Sequence, residues 1–427
     1  MPQEPPITTG IAEPKRPIGP IRPKDRIEAV DMVRGFALFG VLLVNMYNFG
    51  AWSLVWNEPV DELAKFVTGF FFETKSWRLF SILFGFGVSL QVLRAEAQGA
   101  RFMPVYLRRL VILFIFGMGN ALIYGRDILM QYAELGLILV VFRRFPPKAL
   151  LVLVVTLLMV FPVERAVTSL RAGSDLVASS PDPEVRLREA LEEIEEQRQT
   201  YAISVGSIVD VMAINVWRAF PPIYLGFRGP ESAALVFAMF LLGLYVGRRR
   251  IFHDIQQHMA LIRRVLVWGL SVGLLSMTAE RILNVTLGYD AWAQETTVLP
   301  QFIGDILVAF GSTALSLGYA AAITVLAQHQ RWRRILSPLG AVGRLALTVY
   351  LTQTLMFSTL FYGFAFGQVF RIGPATVSVY AVLFFVIQIA ACTWWVRRFR
   401  FGPMEWLWRT LTYGKLQPMR LRQASET

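Results

Sequence analysis

Apolar runs of membrane-crossing length, parted by clusters of arginine, leave this chain very few folds. The runs cover roughly residues 29–50, 77–95, 105–124, 127–143, 147–164, 232–248, 262–286, 299–327, 342–364 and 374–396. A helix needs about 20 mostly apolar residues to cross the hydrocarbon core, and a crossing segment must satisfy its own backbone hydrogen bonds. The expected fold class is therefore all-α, a polytopic transmembrane helix bundle of about ten spans. Composition agrees: 17% of residues are charged, against about 25% in soluble domains.

A net charge of +12 raises nucleic acid as a partner. The placement of the basic residues argues for the lipid bilayer instead. They gather between the apolar runs, as Arg108-Arg109, Arg143-Arg144, Arg248-Arg249-Arg250, Arg263-Arg264, Arg331-Arg333-Arg334 and Arg397-Arg398-Arg400. Cytoplasmic loops carry this excess. The N-terminal tail is also basic, and the loop holding Glu58, Asp61 and Glu62 is acidic. Ten spans with both termini cytoplasmic satisfies every short loop. No nucleic-acid partner is expected.

Five units follow: a disordered basic tail (1–27), a first transmembrane bundle of about five spans (28–164), an extracytoplasmic connection (165–231), a second bundle of about five spans (232–400) and a cytoplasmic tail (401–427). The first residues are Pro-rich and polar, unlike a cleavable signal peptide. In the connection, Pro181-Asp182-Pro183 opens an expected helix over EVRLREALEEIEEQRQTY. The stretch SIVDVMAINVWRAFPPIYLG suits the interface, with Trp217, Phe220 and Tyr224 at headgroup level. The connection is either a passive cap or a substrate-facing lid. The lone Cys392 allows no intramolecular disulfide, and His253, His258 and His329 lack zinc-ligand spacing, so no metal is expected.

Polar residues inside the apolar runs carry the functional signal, because each charge costs about 2.5–3.5 kcal/mol at mid-bilayer. In DMVRGFALFGVLLVNMYN, Asp31 and Arg34 share one helix face. They are either an interfacial anchor or a site where Arg34 binds an anionic group and Asp31 orients it. Asn45 lies about 16 Å further along the helix, marking the other end of a tunnel. In FFETKSWRLFSILFGFG, Glu73 and Lys75 are either solvated or part of an extracytoplasmic pocket; Arg78 starts the span, and Gly85 and Gly87 permit close helix packing. In GNALIYGRDILMQYAELG, Asn120, Tyr124 and Asp127 form an outer turn, and Glu134 falls within an apolar run. Glu134 is either a general acid or base or a structural partner. In SPLGAVGRLALTVYLTQTL, Arg344 opens a span that also holds Gln353. Asp305 lies near the outer end of another span. No phosphate loop, G-x-S-x-G elbow or dinucleotide-binding motif is present.

RIEAVDMVRGFALFGVLLVN, FFETKSWRLFSILFGFG, YGRDILMQYAELGL, GRLALTVYLTQ and FGPMEWLWRTLTYG together resemble the YeiB-like family of bacterial membrane proteins, over nearly the whole chain. That family is distantly similar to membrane acyltransferases, including the acyltransferase-3 and heparan-glucosaminide acetyltransferase groups. The resemblance implies a multi-pass protein of the bacterial inner membrane. It further implies transfer of an acyl group from a cytoplasmic thioester such as acyl-CoA, with no bound cofactor, to an extracytoplasmic small-molecule, glycan or lipid acceptor. Acyltransferase-3 proteins carry an arginine, ten residues and a catalytic histidine in their first span. Arg34 matches the arginine, but Asn45 stands at the histidine position and cannot accept a proton.

The residues expected to do chemistry are therefore Glu73, Glu134 and Asn45. Those expected to bind substrate are Asp31, Arg34, Lys75, Asn120, Tyr124, Asp127, Arg344 and Gln353. The alternatives are a transporter or exporter of a small anionic or lipidic solute, with the Arg34-to-Asn45 line as its path, or a non-catalytic membrane scaffold.

Overall fold

The structure, a computed structural model, describes residues 26–50, 56, 58–100, 102–125, 127–175, 200–219, 230–287 and 298–421. The N-terminal tail, most of the expected helix at 184–201, and Phe220 and Tyr224 lie outside these residues. The described residues are helical and contain no sheet, only an isolated bridge between Phe399 and Arg420.

The chain opens with α1 (Glu28–Gly50), the short α2 (Pro59–Val67) and α3 (Lys75–Ala97). A π-helical turn, Thr68–Phe72, joins α2 to α3. Next come α4 (Phe102–Tyr124), α5 (Ile128–Leu139) and α6 (Pro147–Asp175). Helix α6 continues through Pro162 and past Glu164, where the sequence suggests that the connection begins. Then follow α7 (Ile208–Ala219), α8 (Pro230–Arg248), α9 (Met259–Leu287), α10 (Val298–Leu326), α11 (Gln330–Arg344), α12 (Ala346–Phe361), α13 (Pro374–Val396) and α14 (Pro403–Tyr413).

Seven of the described helices are long and apolar enough to cross a membrane, or eight if α11 and α12 form one bent span. Length alone therefore does not give the expected ten. The shortfall has local causes. Helix α5 has 12 residues and tightens into a 3-10 turn, Val140–Arg144, before Pro146 and Pro147. Helix α8 is a shorter apolar helix. The run expected at 342–364 breaks at Leu345, where α11 and α12 meet at 80°. Arg344 thus closes the basic, amphipathic α11 rather than opening a span.

Side chains exposed on the outer helices are those a bilayer accepts: Val267, Trp268, Leu275 and Val285 on α9, and Val379, Leu383, Val386 and Ile387 on α13. Helix α1 lies inside, with Met32, Val33, Ala37, Leu42 and Met46 fully buried. It crosses α11 where two glycines let backbones touch. A Cβ on Gly35 would sit 2.1 Å from the Leu339 carbonyl oxygen, and one on Gly343 1.9 Å from that of Asp31. Helices α3 and α8 use the same device, through Gly85 against the Phe240 carbonyl and Gly243 against that of Ile82. Gly87 packs against nothing.

Candidate functional site

A cavity of about 1020 Å³ runs along α1 from Arg26 to Asn48. Six of the expected site residues line it: Asp31, Arg34, Asn45, Glu73, Tyr124 and Arg344.

The end beside the start of α1 is a vestibule of six arginines: Arg26, Arg34, Arg94, Arg109, Arg344 and Arg409. They come from six places in the sequence and face two lining carboxylates, Asp31 and Glu405. Arg34 Nη1 donates to Asp31 Oδ1 at 2.9 Å and also reaches the Gly343 carbonyl at 3.4 Å. This contact ties Arg34 to the α1–α11 crossing, so the glycine pair that sets the crossing also sets Arg34. The Nε of Arg344 is buried without a hydrogen-bond partner. Arg109 lies over the Trp408 ring, 4.0 Å from its centre, and the Trp408 indole donates to the Arg109 carbonyl at 3.0 Å. Burial, helped by Arg344, pulls Arg26 below the usual guanidinium range, while Asp31 pulls the other way. Burial and the neighbouring Arg109 lower Arg409 likewise. Guanidiniums stay charged in proteins, so packing them together in a low-dielectric pocket builds a strong positive potential.

Glu405 is spent on structure. Its Oε1 accepts from the backbone amides of Leu347 (2.7 Å) and Thr348 (3.0 Å), and its Oε2 from the Thr348 hydroxyl (2.6 Å). Thr348 Oγ1 accepts in turn from the Met404 amide at 3.1 Å. The first turns of α12 and α14 therefore cap each other and serve otherwise orphan N–H groups.

The middle of the cavity is apolar, walled by Leu38, Val41, Leu83, Phe84 and Leu113. At the opposite end, beside the end of α1, stand Asn45, Asn48, Glu73, Thr74 and Tyr124. Thr74 holds a left-handed backbone (φ 62°), uncommon for a β-branched residue. The break before α3 leaves backbone groups that α10 serves from the side. Ser316 donates to the Lys75 carbonyl (3.0 Å), Tyr319 to that of Phe71 (3.1 Å), and Thr74 Oγ1 donates to Ser312 Oγ (2.8 Å). Helices α6 and α10 add an ion pair, Arg165 to Asp305 at 3.2 Å. With its amide oxygen toward Arg165, Gln301 accepts at 3.0 and 3.1 Å and donates to Ser169 at 2.7 Å.

The other expected site residues lie elsewhere. Lys75 is buried and donates to the Gly69 carbonyl at 3.1 Å. Asp127 is fully buried. It caps α5 through the Leu129 amide (2.6 Å) and accepts from Tyr350 (2.9 Å) and from Asn120. Asn120 also donates to Thr354 at 3.1 Å. Gln353 donates to Gln388 at 3.1 Å. Glu134 is partly exposed on α5 and does not line the cavity. Arg94, Arg109, Arg165 and Arg409 line the cavity and were not expected there. Three of these belong to stretches that read as ordinary cytoplasmic charge. Arg165 lies just beyond an apolar run.

The family described as Protein of unknown function (DUF418) matches residues 246–415. The chain is 31% identical to Uncharacterized protein YxaH of Bacillus subtilis (strain 168), over 94% of this chain and 97% of that relative. It is 28% identical to Uncharacterized protein YeiB of Escherichia coli (strain K12), over 92% and 98%. It is 27% identical to an uncharacterized 39.9 kDa protein from the amylase 3' region of Bacillus acidopullulyticus, over 95% and 99%. No solved structure matches the chain.

Proposed function

This chain belongs to the DUF418 family of multi-pass membrane proteins, and we propose that it transfers an acyl group from a cytoplasmic thioester to an extracytoplasmic acceptor. The observation that carries this reading is one cavity joining a six-arginine vestibule to an opposite polar end through an apolar middle. Acyl-CoA has the matching parts: several phosphates, a long arm and an acyl group. Arg34 and Arg344, with the arginines around them, bind the phosphates; guanidinium–phosphate contacts are charge-assisted and directional. Asn45 donates a hydrogen bond to the acyl carbonyl. Glu73 accepts the proton of the acceptor hydroxyl as the acyl carbon moves from sulfur to oxygen. That proton ends on the released thiol. Glu134 takes no part, because it does not line the cavity.

In this reading the chain crosses the bilayer ten times with both termini in the cytoplasm, and α5, α8 and α12 are short crossings. The vestibule then faces the cytoplasm, where thioesters are made.

The test is CoA binding to the purified protein, followed by thiol release from acyl-CoA. Wild type is expected to bind CoA below millimolar concentration. Arg34→Ala with Arg344→Ala is expected to weaken it by about tenfold or more, since each charged hydrogen bond is worth about 1.5–3 kcal/mol. No CoA binding at millimolar ligand overturns the reading. Transport of an anionic amphiphile is the second reading, favoured by Asn45 at the place of a catalytic histidine. Solute flux in proteoliposomes that is lost in Arg34→Ala, without thiol release, would select it.

A further inference from the structure

Of all the described side chains, Arg78 is the largest among those almost completely buried, at 1% exposure. It lies one turn into α3, at the wall of the cavity. Its Nη1 donates to two neutral oxygens on α10, the Ala309 carbonyl and Thr313 Oγ1 (2.8 Å). Its Nε is buried without a hydrogen-bond partner. Its guanidinium lies 5.3 Å from the centre of the Trp77 ring, which also lines the cavity.

Two acids within the helices are paired, whereas Lys75, one turn before Arg78, is buried and donates to the Gly69 carbonyl. Asp305, one turn before Ala309, has Arg165. Asp31 has Arg34. No carboxylate forms an ion pair with Arg78 among the described residues. Ionisable residues inside a bilayer are rare, pair with one another or with backbone carbonyls or face a cavity, and mark substrate pathways. Arg78 faces the cavity with its charge matched by no ion pair among the described residues. An Arg that only tied α3 to α10 would waste its charge, since a neutral donor makes the same bonds.

We infer that Arg78 binds a carbonyl-derived anionic oxygen of an acyl amphiphile inside the membrane. The oxygen belongs to the carboxylate of a free fatty acid or to the oxyanion that develops on an acyl carbonyl. The apolar walls suit the chain of such a ligand: Phe80, Leu83, Phe84 and Leu113 line the same cavity. The choice of an acyl group rests on the proposed function. The anion site itself rests on the burial and pairing of Arg78.

The experiment uses the full chain in nanodiscs, with three variants and two probes. The probes are palmitate for equilibrium binding and palmitoyl-CoA for turnover. Arg78→Gln keeps a donor toward Ala309 and Thr313 but removes the charge, Arg78→Met removes both, and Arg78→Lys keeps the charge. Palmitate affinity is expected to fall about tenfold or more in the Gln and Met variants, as for loss of one charged hydrogen bond, and to recover partly in Lys. If palmitate affinity is unchanged but kcat for thiol release falls by a similar factor with KM unchanged, the oxyanion is the source. The midpoint of thermal unfolding should change little in Arg78→Met, because the two lost hydrogen bonds are offset by relief of the desolvation cost of a buried charge. CoA binding at the vestibule should stay within about twofold, as expected of a separate, distant contact set. Palmitate affinity and kcat both unchanged in Arg78→Gln would overturn the proposal. So would a large fall in the unfolding midpoint of Arg78→Met with binding intact, which would make Arg78 a structural tie. Wild type that binds palmitate through Arg78 but no CoA leaves this site standing and removes the vestibule reading.

Discussion

Glu405 is a residue whose charge the fold tolerates for the sake of two helix ends. Its carboxylate accepts the first amides of α12 while burial holds its carboxyl above the usual glutamate range. Glu405→Ala leaves those two amides buried without acceptors and should cost about 2–6 kcal/mol, at 1–3 kcal/mol per orphaned group. Glu405→Gln keeps an acceptor and should cost much less. The two also differ in pH response. Because the folded state raises this pKa, it holds a proton where the unfolded chain has lost one. That stabilisation is complete below the usual glutamate value of 4.5 and fades as pH rises through the folded-state value. Unfolding midpoints measured against pH should therefore shift in favour of Glu405→Gln from pH 4.5 upward. A difference between the two proteins that does not change with pH would mean that Glu405 is not the titrating group. At this scale the sequence was partly readable. Arg34, Asn45, Glu73 and Arg344 stand out because a polar group in an apolar run needs a reason. Asn120, Asp127 and Gln353 stand out equally, yet their partners are other helices. A helix that is apolar all round offers no polar stripe to say which way one polar residue turns.

Among the elements, helix pairs meet where a glycine faces a carbonyl, and α3 offers a controlled comparison. Gly85 lies where an added Cβ would stand 2.0 Å from the Phe240 carbonyl oxygen, and Gly87 has nothing within 4 Å. Gly85→Ala must push α8 away and should cost about 1–3 kcal/mol or more, the usual range for overpacking. Gly87→Ala gains helix propensity of about 0.5–1 kcal/mol and should leave the unfolding midpoint unchanged or raised. Since Gly87 lines the cavity, its variant should nonetheless weaken binding of a long-chain ligand. Equal midpoints for the two variants would show that the α3–α8 crossing does not depend on Gly85. Sequence spacing could not separate these glycines, because what distinguishes them is a helix more than a hundred residues away, which meets Gly85 and leaves Gly87 facing the cavity. The break at Leu345 was hidden for a related reason. SPLGAVGRLALTVYLTQ is apolar on both sides of Arg344, and the features that flank the 80° break are long-range: the contact of Gly343 with α1 and the Glu405 cap on the first amides of α12.

For the whole molecule, the decisive question is whether the short helices cross the bilayer, since that fixes which face each end of the cavity meets. Helix α5 is the sharpest case. Its 12 residues rise about 18 Å, and the five-residue 3-10 turn adds about 10 Å, close to the roughly 30 Å of hydrocarbon. The alternation of basic and acidic loops leads the sequence reading to ten spans, this crossing among them, where helix length gives seven or eight. Cysteine labelling can decide it in intact cells. The native Cys392 is buried, so a membrane-impermeant maleimide should give little background. Ser207→Cys, exposed before α7, should label in intact cells. Lys148→Cys at the start of α6 and Ser337→Cys on α11 are also exposed, and both should label only after the membrane is opened. Labelling of Lys148→Cys in intact cells would mean that α5 turns back without crossing. The arginine vestibule would then keep its geometry, but α6 would begin on the outer face, and the route from cytoplasmic donor to extracytoplasmic acceptor would be lost.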